Sequence, residues 1–201
     1  MTKIDRLLQR WRFAKAARFI PRGARVLDVG SDDGALFRYL GERLGTGTGI
    51  DPLIAAPSAN ARWRLIPGMF PDDAPLERFD AITALAVLEH IPEDSLPKFR
   101  DACIEHLEPG GRFIATVPSP AVDRILHVLE RLRLIHGMAL HEHHGFDAMS
   151  TPRAFEAPAL RLARARRFQL GLNHLFVFER PAPAASLAGE DERGNASRGE
   201  R

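Results

Sequence analysis

Two glycines and two acids carry the densest chemistry in this 201-residue chain. Gly30 and Gly34 bracket a turn in the run VLDVGSDDGALF, between a short apolar segment and a helical pattern. Glycine lets the backbone pass close to a ligand, and a helix start offers N–H groups to an anion. Asp28, two residues before Gly30, supplies an acceptor for an ammonium group. The loop therefore suits a ligand that carries both a carboxylate and an ammonium. Twenty-one residues beyond Gly30, the run GTGIDP ends in Asp51-Pro52. An acid at the end of a second strand is placed to accept two ribose hydroxyls. Asp51-Pro52 alone reads as a turn, and its spacing from the glycine loop favours the sugar role.

Histidines supply the candidate proton acceptors. His90 stands just after the apolar run 79–85, either as a base or as a structural helix-start residue. The cluster His141-Glu142-His143-His144 lies before the final apolar segments. A solvated loop, a substrate lid carrying a base at His141 or His143, and a metal site are its three readings. No cysteine or spaced carboxylate completes a ligand set there, so no metal is expected.

Elements with alternating periods must position these groups. Residues 4–19 read as a helix with Ile4, Leu7, Leu8, Trp11 and Ala14 on one face, stopped by Pro21. Strands are predicted over 25–29, 46–50, 62–66, 79–85 and 112–117. Helices are predicted over 35–44, with Leu36, Tyr39, Leu40 and Leu44 aligned and Gly45 as the stop; after Asp94 or Ser95 as cap, with Leu96, Phe99, Cys103 and Leu107 on one face and Pro109-Gly110-Gly111 as the end; and over 121–135. Residues 161–180 read as a hairpin. The sum is an α/β, Rossmann-like, doubly wound, seven-stranded and mainly parallel sheet with an antiparallel C-terminal hairpin strand. Ligands of such sheets sit at the carboxyl ends of the strands.

Composition narrows the class. Apolar residues make up 45% and charged residues 27%, as in a globular domain. The formal charge is only +2 although 28 residues are basic, and just three of these are lysines. The densest basic stretch, four arginines within 161–167, reads as the wet side of a strand, so no nucleic acid is expected. A single cysteine, Cys103, fits a reducing cytoplasm. No apolar run approaches the ~18 residues of a membrane span, and charges interrupt the first residues too often for a secretory signal. Residues 181–201, poor in large apolar side chains, read as a disordered tail after a domain at 1–180.

In order, VLDVGSDDG, GTGIDP, RFDAITALAVLEHIP and LEPGGRFIATVP resemble the successive motifs of class I S-adenosylmethionine-dependent methyltransferases. The likeness is to the small-molecule, quinone-type branch and covers residues 24–118. The resemblance implies S-adenosyl-L-methionine as cofactor and S-adenosyl-L-homocysteine as product. It places Asp28, Gly30, Ser31, Asp32 and Gly34 at the methionine end, and Asp51 and Pro52 at the ribose. Met69 and Phe70 would flank the adenine, and Ala84 and Leu85 would approach the sulfonium. It implies a substrate lid over 136–150 and a helix 1–20 folded over the cofactor, with Trp11, Arg12 and Phe13 facing it. Otherwise Trp11 packs on the core and Arg12 is solvated. One departure is Asp32, where the family's first motif has its middle glycine. Another is the short link from Asp51 to the third strand, near the minimum for a parallel crossover.

A nicotinamide oxidoreductase would need glycines at Asp32 and Ala35, and the only tyrosine, Tyr39, lacks a lysine four residues on. A non-catalytic partner protein and a macromolecule methyltransferase are the alternatives. The segment Ala84-Leu85-Ala86-Val87 lacks a polar group to grip an exocyclic amine, which favours a small-molecule or lipid-like acceptor. Peripheral membrane contact is compatible with the sequence.

Overall fold

The computed structural model describes residues 3–119 and 148–183. One eight-stranded sheet organises them. In chain order its strands are β1 (Ala24–Val29), β2 (Leu44–Asp51), β3 (Ser58–Ala59), β4 (Trp63–Pro67), β5 (Phe79–Leu85), β6 (Leu107–Pro118), β7 (Arg161–Phe168) and β8 (Asn173–Glu179). The spatial order is β3-β4-β2-β1-β5-β6-β8-β7. Strands β4, β2, β1, β5 and β6 run parallel, while β8 lies antiparallel to β6 and β7 antiparallel to β8. The α/β doubly wound sheet with its closing hairpin is therefore as the residues predict.

The helices are α1 (Lys3–Ala16), α2 (Ala35–Leu40), α3 (Leu96–His106) and α4 (Thr151–Phe155). On one face, Phe13 and Ala16 of α1, Ala17 just beyond it, and Leu36, Phe37 and Leu40 of α2 share a core with Val26, Ala81 and Ile114. On the other, Phe99 and Cys103 of α3 and Phe155 of α4 pack with Leu27, Ile82 and Phe113. Strands covered on both faces have little room for exposed side chains, and five of the six residues of β1 are buried. Cys103 is a free, fully buried thiol whose pKa burial pushes up, so it belongs to the packing.

Several predicted elements are corrected. The sheet has eight strands instead of seven, because Ser58–Ala59 pairs antiparallel with β4 inside the short Asp51-to-β4 link, which holds no helix. The helix predicted over 35–44 stops at Leu40, where Gly41 turns to φ 53°, and Leu44 already belongs to β2. Phe37 is buried instead of Tyr39. Gly45 is a strand residue set against the Gly23 backbone. Neither Asp94 nor Ser95 caps α3 through its side chain. The apolar face predicted for α1 is inverted: Leu7, Leu8 and Trp11 are exposed, and Phe13, Ala16 and Ala17 are buried. Small alanines let the helix axis approach the sheet, so the smaller residues face in.

The predicted helix 121–135, the histidines His141 and His143, nearly all of the lid 136–150, and residues 184–201 of the tail lie outside the described residues. Among the described residues no helix is long and apolar enough to cross a membrane.

Candidate active site

Strand order reverses at β1, which has β2 on one side and β5 on the other. That switch point opens a crevice beyond the carboxyl ends of β1 and β5. Asp28, the fifth residue of β1, lies opposite Thr83 of β5. Thr83 donates from Oγ1 to Asp28 Oδ1 at 2.6 Å, and both residues are buried. Burial pushes the Asp28 carboxyl up to about 7; the Thr83 hydrogen bond pulls it down, and the negative charge of Asp51 pushes it up. Asp28 is thus poised to change charge near neutral pH.

After β1 the chain turns sharply through Gly30 (φ 73°), Asp32 (φ 47°) and Gly34 (φ 77°). A Cβ on Gly30 would lie 2.5 Å from Val87 Cγ2, so the β5 loop packs directly on this backbone. Asp32 takes the left-handed conformation expected of the family's glycine, and it is exposed at the edge of a cavity beside α1. Aspartate is among the few residues that tolerate this region.

The turn is tied to the next strand. Gly30 N–H donates to the Ile50 carbonyl at 2.9 Å, and Asp32 N–H to Asp51 Oδ2 at 3.0 Å. The second oxygen, Asp51 Oδ1, accepts the Leu53 N–H at 2.8 Å. Asp51 is buried at the end of β2, as predicted, while Pro52 is exposed beside it. Gly34 N–H is also used, donating to the Ser31 carbonyl at 2.9 Å. The N–H groups of Gly30, Asp32 and Gly34 are therefore engaged within the protein, which corrects the expectation that they stand free for an anion.

A cavity of about 50 Å³ fills the space between this turn and α1. Gln9, Arg12 and Phe13 of α1 line it together with Asp28, Gly30 and Leu85. Ser31, also in its lining, has a buried Oγ with no hydrogen-bond partner. A buried hydroxyl left unsatisfied beside a cavity is a group waiting for a polar ligand. Of the three α1 residues expected at the cofactor, Arg12 and Phe13 face the cavity, and Trp11 lies on the outer side of the helix, 41% exposed.

Other predicted residues divide. Leu85 reaches the cavity, whereas Ala84 points to the opposite face and packs in the α3 core. Met69 is exposed, and the Phe70 ring is buried 4.8 Å from the Phe99 ring. His90 sits in a 3-10 turn, Leu88–His90, and its side chain is exposed and does not line the cavity. Sequence reasoning missed Thr83, Val87 and Gln9. A polar residue inside the apolar run FDAITAL was the available signal for Thr83; the other two depend on tertiary packing.

Such a sheet, with a carboxylate near the end of its first strand, a glycine turn after it and a second carboxylate at the end of its second strand, defines the class I methyltransferase architecture. The chain belongs to the methyltransferase domain family, whose model matches residues 2–157. It is 35% identical over 106 residues to the ubiquinone biosynthesis O-methyltransferase of Pseudomonas fluorescens (strain Pf0-1), a match covering 47% of this chain and 45% of that protein. The chain thus spans about half the length of the curated relatives it matches. Among solved structures it resembles the N-methyltransferase NodS from Bradyrhizobium japonicum WM9 in complex with S-adenosyl-L-homocysteine. The TM-score is 0.63 at 17% identity, covering 86% of this chain and 87% of that one. It also resembles CalO1, a methyltransferase in calicheamicin biosynthesis in its S-adenosylhomocysteine-bound form. Here the TM-score is 0.59 at 21% identity, over 87% of this chain and 55% of that one.

Proposed function

We propose that the protein binds S-adenosyl-L-methionine and transfers its methyl group to a small-molecule or lipid-like acceptor in the cytoplasm. The observation that carries this reading is the paired carboxylate arrangement at the switch point, with Asp28 beneath the glycine turn and Asp51 tied to that turn through Asp32 N–H.

The residues present fit the donor. When bound, the donor supplies an electrophilic methyl on a sulfonium. Asp28 takes the ammonium group, and its deprotonated form is the binding form. With the turn's N–H groups engaged elsewhere, the donor carboxylate falls to Arg12 and Gln9 from α1 and to the orphaned hydroxyl of Ser31. Each Asp51 oxygen already accepts one N–H and keeps a second lone pair for a ribose hydroxyl. Leu85 offers an apolar wall beside the reacting end. Met69 is left to contact the adenine, because the Phe70 ring is committed to the core. The cavity takes only the small polar end of the donor, and its ribose and adenine fall outside it, at Asp51 and Met69.

Methyl transfer from a sulfonium needs in-line placement and exclusion of water more than a strong base. His90, exposed in the 3-10 turn after β5, is a candidate base only for an acceptor that reaches it; His141 and His143 remain candidates from sequence alone.

The acceptor class rests on the family and on the quinone-type relatives. Radiolabelled S-adenosylmethionine incubated with the protein and separate lipid, metabolite, RNA and protein fractions tests it. Label in the lipid or metabolite fraction supports the reading, and label confined to RNA or protein overturns the acceptor class. A folded protein that neither binds the donor nor labels any fraction would mean a non-catalytic partner protein.

A further inference from the structure

The charge of this chain is partitioned by position. Residues 6–27 and 157–178 together hold eleven arginines and lysines and no aspartate or glutamate, while the rest of the chain has 17 basic and 26 acidic residues. The fold brings these two acid-free stretches together. Phe13 and Ala16 of α1, with Ala17 just after it, share one core with Phe168, Leu175 and Val177 of the β7–β8 hairpin. Gln169, in the hairpin turn, donates from Nε2 to the Leu8 carbonyl at 3.0 Å. A cleft of about 190 Å³ between them is lined by Lys15, Arg18, Arg166 and Arg167. A second groove, of about 500 Å³, flanks α1 on its α2 side and contains Arg6 and Arg10. Arg38 in that groove is neutralised by Asp33 at 2.6 Å, and Arg25, at the far end of β1, by Asp80 and Glu108, so neither adds to the patch.

Large apolar side chains stand in the middle of this basic surround. Leu7 is 65% exposed, Trp11 41% and Leu8 38%. Leu7 and Trp11 are four residues apart on one helix and form a single outward ridge. Leu170, next in chain to the Gln169 that holds the Leu8 carbonyl, is 98% exposed. The turn holds Gln169 at φ 52° and Leu170 at φ 57°, a left-handed pair that neither residue type favours. Strain spent to hold a bare leucine in water calls for a purpose.

We propose that the outer ridge of α1 and the tip of the β7–β8 hairpin form a docking face for an anionic lipid bilayer. Leucine and tryptophan with flanking arginine and lysine is the composition that settles at a headgroup boundary. A nucleic acid would favour stacking aromatics and polar base contacts over bare leucines. The placement has a consequence for the site. The hairpin turn lies at the carboxyl end of β6, where Pro118 pairs with Asn173, and this is the end that also carries Asp28, Gly30 and Leu85. Docking would set the crevice mouth beside the bilayer. This last link to a lipid-like acceptor rests on the methyl-transfer reading; the docking face itself does not.

Co-sedimentation of the full chain with phosphatidylcholine vesicles, with and without phosphatidylglycerol, tests the face. Binding is expected only to the anionic vesicles, weakening with salt. The double variant Leu7→Glu, Leu170→Glu should bind them on the order of tenfold less. In a Trp63→Phe background, Trp11 emission should shift to the blue on the same vesicles. Circular dichroism melts confirm that the variants fold, and Leu170→Ser alone, at a fully exposed position, serves if the double variant does not. Absence of binding by folded wild type, equal binding by the variants, or vesicle binding abolished by RNA with RNA bound more tightly would each overturn the proposal. Donor titration of the same samples separates this failure from a failure of the methyl-transfer reading.

Discussion

Thr83 Oγ1 reaches Asp28 Oδ1 at 2.6 Å from the neighbouring strand, and the pair is sealed beneath α1. The hydroxyl holds the carboxylate form in a site whose burial opposes it. Donor affinity should therefore rise with pH through about 7, as Asp28 loses its proton and becomes able to pair with an ammonium. Thr83→Val should move this rise to higher pH, because it removes the stabilising donor. Isothermal titration with S-adenosyl-L-homocysteine between pH 5.5 and 8.5 reads both effects.

Stability of the ligand-free protein should run the opposite way. Asp28 is raised from 3.8 to about 7 on folding, so the native state binds the extra proton between those values. Stability from this group is full below about pH 4 and is lost as pH rises to about 7, by an upper bound of about 4 kcal/mol. Asp28→Asn keeps an acceptor for Thr83 and carries no charge. It should melt above wild type at pH 8, with the gap closing toward pH 5, while donor binding falls at every pH.

Gly30 and Val87 form a second test of the site's construction. Gly30→Ala places a Cβ 2.5 Å from Val87 Cγ2 on a backbone at φ 73°, and should cost about 2–4 kcal/mol. Val87→Ala in the same chain should restore only the steric share. Chemical denaturation of the two single variants and the double variant yields the coupling between them.

Asp32 is the family glycine's replacement in a left-handed conformation. Asp32→Gly should raise stability by about 1 kcal/mol and tighten donor binding by removing a negative charge near the donor carboxylate. Thermal melts and titration calorimetry at low salt measure the two gains. Asp32→Ala, without charge but with a Cβ, should tighten binding and not stabilise.

The turn after β4 divides stability from binding. Phe70→Ala should cost about 3–5 kcal/mol, since its buried ring packs on Phe99. Met69→Ala, at an exposed position, should leave the melting temperature nearly unchanged and weaken donor binding.

The mainly parallel sheet, its closing hairpin and the two carboxylates were legible because they depend on local signals. A carboxylate stands at or near the end of each of two apolar strands, and glycines punctuate the turn. The α1 orientation was not legible, because the helix carries two apolar stripes and only the tertiary approach selects the one with Phe13 and Ala16. Strand β3 was too short to have a period. The engaged N–H groups were also hidden: Asp32 N–H meets Asp51 only after β2 docks against β1, a contact set by register. Phe70 and Ala84 stood at motif positions, yet their side chains serve the core, since a motif fixes chain position and not the direction of a side chain.

The most direct test is calorimetric titration of the intact protein with S-adenosyl-L-homocysteine at pH 8, beside Asp51→Ala shown to be folded. A cradle built from Asp28, the Gly30 turn and Asp51 predicts one-to-one binding by wild type and a loss of about tenfold or more in the variant, whose ribose acceptor is gone. Folded wild type that gives no heat at millimolar ligand, or an Asp51→Ala protein that titrates like wild type, would contradict it.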